Sequence, residues 1–197
     1  NEIIMDRLYE HGSVVLKPVG QRASKGISII KTQEDIEPAI TKALEFNHLI
    51  LIEECLKGKE YSIEGILDND KVIFFNIVER VFDYANGVPM EVGHINPAVN
   101  IDCSSIDVFE FWKLTAQTLG VTWGPFKIDM LSSNEKPYIL ETSCRLSGGW
   151  DSQLTTPLSS GRSPIHALIA LSLGLDYAKY CLPTRDVTYA ACAAMFP

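Results

Sequence analysis

The chain has no long hydrophobic run and no excess of positive charge. Apolar stretches such as Leu49–Ile52 and Ala190–Phe196 fall far short of the ~20 residues that a helix needs to cross a bilayer. The net charge is −8, from 17 basic and 25 acidic residues, whereas a protein that binds nucleic acid through its phosphates is normally basic. We therefore expect neither a membrane nor a nucleic acid as a partner, although a local basic pocket for a small anion stays open.

The sequence also lacks closely spaced cysteine pairs. Its five cysteines are an odd number with no C-x-x-C spacing, so neither a disulfide framework nor a zinc site is expected. Most of them lie in apolar sequence, which is typical of reduced thiols in a cytoplasmic protein. Disorder is excluded, because 46% of the 197 residues are hydrophobic and 21% are charged, as in ordinary globular proteins.

What is present is an alternation of short strands and helices. Apolar residues with a period of two predict strands at residues 14–19, 27–30, 49–55, 61–67, 72–82, 126–131, 138–142 and 187–196. A period near 3.6 predicts helices at 34–46, 105–119 and 164–175, with Thr32 and Ser163 as caps of the first and last. Short turns at 68–71 and 132–137 join neighbouring strands. The fold class is therefore α+β with mostly antiparallel sheet.

A first candidate site follows the first predicted strand, which carries Lys17. The next residues form a loop that contains Gly20, Arg22, Ser24, Lys25 and Gly26. Backbone amides in such a loop form a concavity for anions, and the cations suit a polyphosphate. The alternative is a solvated hairpin loop with surface cations.

A second candidate lies where an apolar strand ends in Glu53 and Glu54. A glycine turn follows, and in the next strand Glu60, Ser62 and Glu64 share one face by alternation. Carboxylates at a strand end can accept hydrogen bonds from an amine or a sugar diol. Acidic residues are also common at strand ends that have no function.

The hairpin at 126–143 gives the clearest geometric prediction. Asp129 and Glu141 are equidistant from Glu135, so their Cβ atoms lie ~5 Å apart if the hairpin closes there. Lys127 and Ser143 share their face. The opposite face, which is expected to join the core, holds Phe126, Ile128, Met130, Tyr138 and Leu140. Opposed carboxylates repel unless a cation lies between them, and Mg²⁺ suits two carboxylates and nucleotide phosphates. A solvated polar face with Lys127 as the partner is the alternative.

Two further residues have open interpretations. Arg145 begins the run Arg-Leu-Ser-Gly-Gly, where a guanidinium beside a metal site could bind a carboxylate or a developing oxyanion. It could equally have a surface partner. His94 lies in a strand bounded by glycine and proline and is either structural or involved in chemistry.

Taken in order, these segments resemble the ATP-grasp superfamily of carboxylate–amine and carboxylate–thiol ligases. The shared order is a lysine strand, a Gly/Ser loop, a Glu-Glu hinge, a second Glu seven residues later, an Asp on one strand and Glu-x-Asn-x-Arg on the next. The last motif reads Glu141-Thr-Ser-Cys-Arg145 in this chain. The Gly-His-x-x-Pro and Arg-Leu-Ser-Gly-Gly stretches are most similar to the branch with L-amino-acid ligases. Glycinamide ribonucleotide synthetase, carbamoyl phosphate synthetase and biotin carboxylase are more distant.

The resemblance implies two αβ subdomains with mostly antiparallel sheets that clamp a nucleotide. Residues 1–52 would form part of the first subdomain, with the phosphate-loop hairpin. Residues 53–197 would form the second, with the hinge, the ribose-binding strand and the Mg²⁺-binding strands. Because such proteins begin with a further N-terminal domain and this sequence begins at Asn1, we expect the remainder of a larger enzyme chain to be absent.

The resemblance also implies roles for matched residues. Those expected to bind ATP, from its phosphates through the adenine hinge to the ribose, are Lys17, Ser24, Gly26, Glu53, Glu54, Cys55, Leu56 and Glu60. Those expected to bind Mg²⁺ are Asp129, Glu141 and Ser143, the last in place of the family's asparagine. Those expected to act in catalysis are Arg145 and Lys127, to which we add His94.

The implied activity is an ATP- and Mg²⁺-dependent ligase that joins a carboxylate to an amine through an acyl phosphate. Its partners would be small carboxylate and amine substrates, amino-acid-like in character, and a homodimer stays open. The alternative, motivated by Ser143 and by the expected absence of the N-terminal region, is a non-catalytic nucleotide-binding module or a degenerate ATP-grasp fragment. A structural domain in which the ordered motifs arose by chance is the third hypothesis.

Overall fold

The computed structural model describes residues 2–21, 25–83 and 89–193, without the side chains of residues 192 and 193. The chain divides into two compact units, Asn1–Leu56 with Phe82–Met90, and Lys57–Val81 with Glu91–Pro197. The subdomain boundary expected between residues 52 and 53 stays a prediction. None of the helices in the described ranges has the length and apolar character needed to cross a membrane.

The first unit is a small antiparallel sheet with two helices. Its elements are α1 (Glu2–His11), β1 (Val14–Pro18), β2 (Ser28–Ile30), a 3₁₀ turn (Gln33–Asp35), α2 (Ile36–Leu44) and β3 (Ile50–Glu54), and the strand order is β2-β1-β3. Alternate residues of β1, Val14 and Leu16, are fully buried and pack with Ile30 and the apolar sides of both helices. The turn before α2 begins at Thr32, whose N–H donates to the Asp35 carboxylate at 2.9 Å. The helix α1 was not predicted.

The second unit is built on a six-stranded sheet with the order β8-β7-β4-β5-β6-β9. The strands are β4 (Lys59–Asp68), β5 (Lys71–Asp83), β6 (Met90–Asn96), β7 (Gly124–Ser133), β8 (Lys136–Ser143) and β9 (Ala190–Ala193). The helices are α3 (Val108–Thr118), a π-helical turn (Asp151–Thr155), α4 (Thr156–Ser160), α5 (Pro164–Ser172) and α6 (Ala178–Cys181). The α+β class with mostly antiparallel sheet is confirmed. Residues 194–196 of the last predicted strand lie outside the described residues.

One face of this sheet forms the main hydrophobic core. Tyr61, Ile128 and Met130 are fully buried there beneath Trp112 of α3. The indole ring lies so close to the sheet that a Cβ on Gly65 would come within 2.5 Å of it. Glycine is therefore required at this position for α3 to pack.

The other face of the sheet carries a smaller apolar cluster around Ile66 and Phe74, which packs on Ala167 of α5, and beside it a polar patch that holds the site. Glu60, Ser62 and Glu64 share this face, as predicted, and the register pairs them with Arg80, Val78 and Asn76 of β5. The same register pairs Ser62 with Asp129 and Glu64 with Lys127 of β7. Several of these polar residues are buried, because the segment that follows β8 covers them.

The β7–β8 hairpin closes differently from the prediction. Its turn has two residues, Asn134 and Glu135, with φ of 50° and 61°, as in a type I′ turn. A register shift next to Asp129 then restores its pairing with Glu141, so that predicted pair is confirmed. The shift leaves Leu140 without a register partner and pairs Tyr138 with Leu131. The prediction that Tyr138 lies on the core face is wrong, since it is 36% exposed.

Candidate functional site

In the first unit, the structure brings Lys17 and Glu53 together. Lys17 lies on β1 and Glu53 on the adjacent β3, and their side chains form an ion pair. Both side chains keep about a quarter to a third of their surface exposed, at 26% and 31%. The lysine charge therefore stays accessible at the strand surface, where a phosphate could compete for it.

The other predicted ATP-binding residues of this unit are placed as follows. Gly26 is buried before β2, while Ser24 lies outside the described residues. Glu54 is exposed, 3.9 Å from the His11 ring. The Cys55 N–H donates to the Ser13 carbonyl at 3.3 Å, and Leu56 is half-buried. These assignments stay predictions.

In the second unit, Asp129 lies in a buried cationic setting. One carboxylate oxygen lies 2.6 Å from Lys127 Nζ and accepts from the Ser62 hydroxyl at 2.7 Å. The other lies 3.4 Å from Arg80 Nη1. Burial favours the neutral acid, but the charges of Arg80 and Lys127 outweigh it and lower the pKa of Asp129. This carboxylate is therefore ionised and fixed in place.

Arg80 connects this carboxylate to two others, and it was not predicted. Its guanidinium donates to Glu91 at 2.9 and 2.7 Å and to Glu60 at 3.1 Å. Burial opposes its charge, but Glu91, Asp129 and Glu60 outweigh burial and raise the pKa of Arg80. The bidentate contact with Glu91 fixes the guanidinium plane. Glu60, predicted to hold a ribose, lies in this network.

The three predicted Mg²⁺ ligands lie side by side at the β7–β8 pair. Glu141 faces Asp129, and Ser143 faces Lys127. Glu141 is exposed and has no ion pair within the described ranges. The Ser143 hydroxyl is buried and finds no hydrogen-bond partner among the described residues. Two oxygen donors are therefore unused beside a fixed carboxylate.

These donors fit Mg²⁺. No group of three or more His, Cys, Asp or Glu side chains that could hold a metal occurs in the described part of the chain. However, Mg²⁺ is usually bound through one or two carboxylates, substrate phosphates and water rather than by an all-protein cage. The orphaned Ser143 hydroxyl suits a place in such a mixed set.

His94 of β6 lies between two carboxylates. Its Nδ1 is 3.1 Å from Glu91 Oε1 and 3.8 Å from Asp151 Oδ2. The Glu91 contact, against the opposing effect of burial, raises the pKa of His94. Burial raises the pKa of Asp151 to about 7, with His94 opposing this shift and Glu64 adding to it. Both shifts favour the protonated forms of His94 and Asp151.

Gly149 and Arg145 belong to the segment that follows β8. A Cβ on Gly149 would lie 2.5 Å from His94 Nε2, so the Gly-Gly turn packs against the imidazole ring.

Arg145 is exposed, and its one hydrogen bond within the described ranges is to the Leu146 carbonyl at 3.2 Å. The structure does not place it against the carboxylates of β7 and β8. Its catalytic role stays a prediction.

Three charged residues at or over this face were missed as site residues: Arg80, Glu91 and Asp151. Arg80 alternates onto the polar face of β5, which the sequence could have indicated. Glu91 lies three residues before His94, which was itself predicted as a candidate residue. Asp151 gave no signal, because the turn that buries it reads as a polar loop.

Fold and motif order are those of an ATP-grasp domain, and the family model of that name matches residues 11–153. The chain therefore belongs to the ATP-grasp family, and the predicted resemblance to its carboxylate–amine ligase branch is confirmed. A D-alanine–D-alanine ligase from Haemophilus ducreyi is 40% identical over 130 residues, covering 64% of this chain and 42% of that protein.

Solved structures agree on the fold. An L-amino acid ligase from Bacillus licheniformis matches with a TM-score of 0.70 at 17% identity, covering 96% of this chain and 51% of that one. An N5-carboxyaminoimidazole ribonucleotide synthetase in its ADP complex matches with a TM-score of 0.73 at 20% identity, covering 96% and 48%. The chain thus spans about half, or less, of the length of these relatives.

Proposed function

We propose that the chain is the core of an ATP- and Mg²⁺-dependent ligase that joins a carboxylate to an amine through an acyl phosphate. The observation that carries this proposal is the opposed pair Asp129 and Glu141, with Lys127 beside it. Membership of the ATP-grasp family supports ATP as the phosphoryl donor. The relatives named D-alanine–D-alanine ligase and L-amino acid ligase support small, amino-acid-like substrates.

Asp129, Glu141 and Ser143 would hold Mg²⁺ together with phosphate oxygens of ATP. When bound, the ion neutralises charge on the phosphates during transfer. Lys127 and Arg80 hold Asp129 ionised and in position. In the first unit, Lys17 would exchange its contact with Glu53 for a contact with phosphate, because a charge-assisted bond to phosphate is at least as strong.

The proposed reaction has two steps. A substrate carboxylate oxygen attacks the γ-phosphorus, the bond to the bridging oxygen breaks, and ADP leaves. The amine nitrogen then attacks the acyl carbon, the bond to the phosphate oxygen breaks, inorganic phosphate leaves, and the nitrogen loses a proton. Lys127, and Arg145 once it turns from solvent, would stabilise negative charge in these steps. His94, held between Glu91 and Asp151, would accept the proton when its imidazole is neutral.

A non-catalytic nucleotide-binding module is the second candidate. The observation that favours it is that both oxygens of Asp129 already have partners within the protein. For either function we propose a cytoplasmic location. The absence of disulfides among the four described cysteines supports it.

The test is calorimetric titration with ATP-γ-S, with and without Mg²⁺. It compares the wild type with the Asp129→Asn/Glu141→Gln double variant. Glu110→Gln is the matched control, since Glu110 is an exposed carboxylate on α3. We expect Mg²⁺-dependent binding in the wild type and the control, and its loss in the double variant. Binding without Mg²⁺ dependence would support the nucleotide-binding module, and no binding by folded protein would overturn both candidates.

A further inference from the structure

Glu64 is a fully buried carboxylate on the polar face of β4, with 0% of its surface exposed. Its two neighbours in register are Asn76 on β5 and Lys127 on β7. Neither is its hydrogen-bond partner within the described residues. The Lys127 ammonium contacts Asp129 instead, and the Asn76 amide donates to Asn96 and Thr156.

Glu64 instead accepts hydrogen bonds from both ends of one loop. The Ser147 N–H donates to Oε2 at 2.7 Å, and the Ser152 hydroxyl donates to the same oxygen at 3.0 Å. Both serines are buried, at 3% and 1% exposure. The carboxylate therefore holds together the two ends of the stretch 147–152, which we call the Gly-Gly loop, and so closes it.

Two of the residues that lie against His94, Gly149 and Asp151, are between these two anchors, while Glu91 approaches the ring from β6 itself. Gly149 packs on Nε2, and the Asp151 carboxylate lies 3.8 Å from Nδ1. If the anchors were released, Gly149 and Asp151 would be free to move away from the imidazole ring. The position of the loop and the surroundings of His94 are therefore set together.

The burial of the Glu64 carboxylate is unfavourable by itself. Its desolvation costs several kcal/mol unless hydrogen bonds and an opposite charge compensate. An apolar side chain would fill the same space on β4 without that cost, but it would offer no acceptor to the Ser147 N–H. Arg162, which donates to the Phe75 carbonyl at 2.8 Å and to Asn76 Oδ1 at 3.0 Å, supplies the compensating charge nearby. The desolvation of Glu64 is therefore offset by this charge and by the two hydrogen bonds to the loop.

We infer that Glu64 is a positioning residue that closes the Gly-Gly loop and so fixes Gly149 and Asp151 against His94 in the proposed ligase site. This inference rests on the proposed function for its catalytic meaning. The closure of the loop itself can be measured without any ligand. Glu64 acts through the loop and touches no substrate.

The test compares Glu64→Ala and Glu64→Gln with the wild type. Asn76→Ala is the matched control, because Asn76 is also buried and faces Glu64 in register, but it contacts Asn96, Thr156 and Arg162 rather than the loop ends. The first readout is hydrogen exchange at the Ser147 amide. The second is the NMR signal of the His94 imidazole.

We expect Glu64→Ala to raise the Ser147 exchange rate by about tenfold or more, as for a lost hydrogen bond to a charged group, and to shift the His94 signal. Glu64→Gln keeps an acceptor and should recover most of the protection, while Asn76→Ala should leave Ser147 protected. If Glu64→Ala does not fold, Ser152→Ala carries the test, with an intermediate loss of protection expected at Ser147. Unchanged exchange at Ser147 in folded Glu64→Ala, or in Ser152→Ala where Glu64→Ala does not fold, would overturn the inference.

A kinetic readout connects the loop to the reaction. With D-alanine and L-alanine as probes, phosphate release by Glu64→Ala should show a KM for the amino acid raised about tenfold, with the KM for ATP within about twofold of the wild type. If the wild type releases no phosphate with either probe and binds no ATP-γ-S, the proposed function fails. The exchange and NMR readouts still decide whether Glu64 holds the loop. An equal rise in both KM values would contradict a positioning role.

Discussion

Asp129 and Glu141 lie directly opposite each other on β7 and β8, yet their surroundings are opposite in character. Asp129 is 4% exposed and contacts two cations and a hydroxyl. Glu141 is exposed and has no ion pair among the described residues. One carboxylate is therefore compensated by the protein itself. The other is free to bind a cation from solution.

Ser143 allows a test in which stability and metal binding change in opposite directions. Its buried hydroxyl lacks a hydrogen-bond partner within the described ranges, and such a group costs about 1 kcal/mol or more. We expect Ser143→Ala to raise the free energy of unfolding by about that amount and to raise the Mg²⁺ concentration needed for ATP-γ-S binding. Urea denaturation and calorimetry measure the two effects. Thr142→Ala, at the exposed neighbouring residue, is the control, and an unchanged Mg²⁺ requirement would remove Ser143 from the metal site.

Lys17 gives a separate test of the first unit. Its ion pair with Glu53 is partly exposed, so it adds little to stability. We expect Lys17→Met to lower the affinity for ATP-γ-S by about tenfold or more, since a charge-assisted contact with phosphate is lost, while the thermal midpoint changes little. Lys31→Met, at an exposed lysine of the same unit, should leave the affinity unchanged. Equal affinity in both variants would mean that Lys17 serves only its partner Glu53.

Much of the fold could be predicted because its signals are local. Alternating apolar residues marked most strands, and the spacing of Asp129 and Glu141 predicted their pairing. The same spacing argument assumed a regular hairpin and so misplaced Tyr138. The extra residue at Leu140 that compensates for the two-residue turn is not visible in the periodicity.

The site was predicted less completely, because its contacts are not local. Lys127 and Asp129 alternate onto one face of one strand, so their contact follows from the sequence. Arg80 pairs with Glu91 and Asp129 only because β5 lies between β4 and β6. The burial of Glu64 depends on a loop 83 residues further along the chain. Alternation indicates which face a side chain takes but not what covers it.

The two adjacent glycines of the Gly-Gly loop form an internal comparison. Gly149 has a φ of +63°, and a Cβ there would come within 2.5 Å of His94 Nε2, whereas a Cβ on Gly148 would meet nothing within 4 Å. We expect Gly149→Ala to lower the free energy of unfolding by roughly 1–3 kcal/mol, from backbone strain and overpacking. Gly148→Ala should cost less than about 0.5 kcal/mol. Urea denaturation of both variants decides, and equal losses would show that the loop does not pack on His94 in solution.

The carboxylates around His94 predict how stability depends on pH. The folded-state pKa of Asp151 is raised from 3.8 to about 7, so the folded protein binds this proton more tightly than the unfolded chain does. Stability from this group is therefore lost as the pH rises from about 4 to 7. His94, whose pKa is also raised, contributes stability that is lost as the pH rises above about 6.5. Glu91, whose pKa is lowered to about 2, acts in the opposite direction and only below about pH 4.5.

We therefore expect the free energy of unfolding to be greatest at about pH 4 and to fall towards about pH 8. Asp151→Asn should reduce this fall by on the order of 2 kcal/mol, because the amide does not ionise. Asp186→Asn, at an exposed carboxylate, should leave the fall unchanged. Urea denaturation at pH 5.5, 7 and 8.5 measures the slopes. Equal slopes for the wild type and Asp151→Asn would mean that Asp151 titrates in the folded protein as it does in the unfolded chain, and its burial beside His94 would then contribute nothing to the pH dependence of stability.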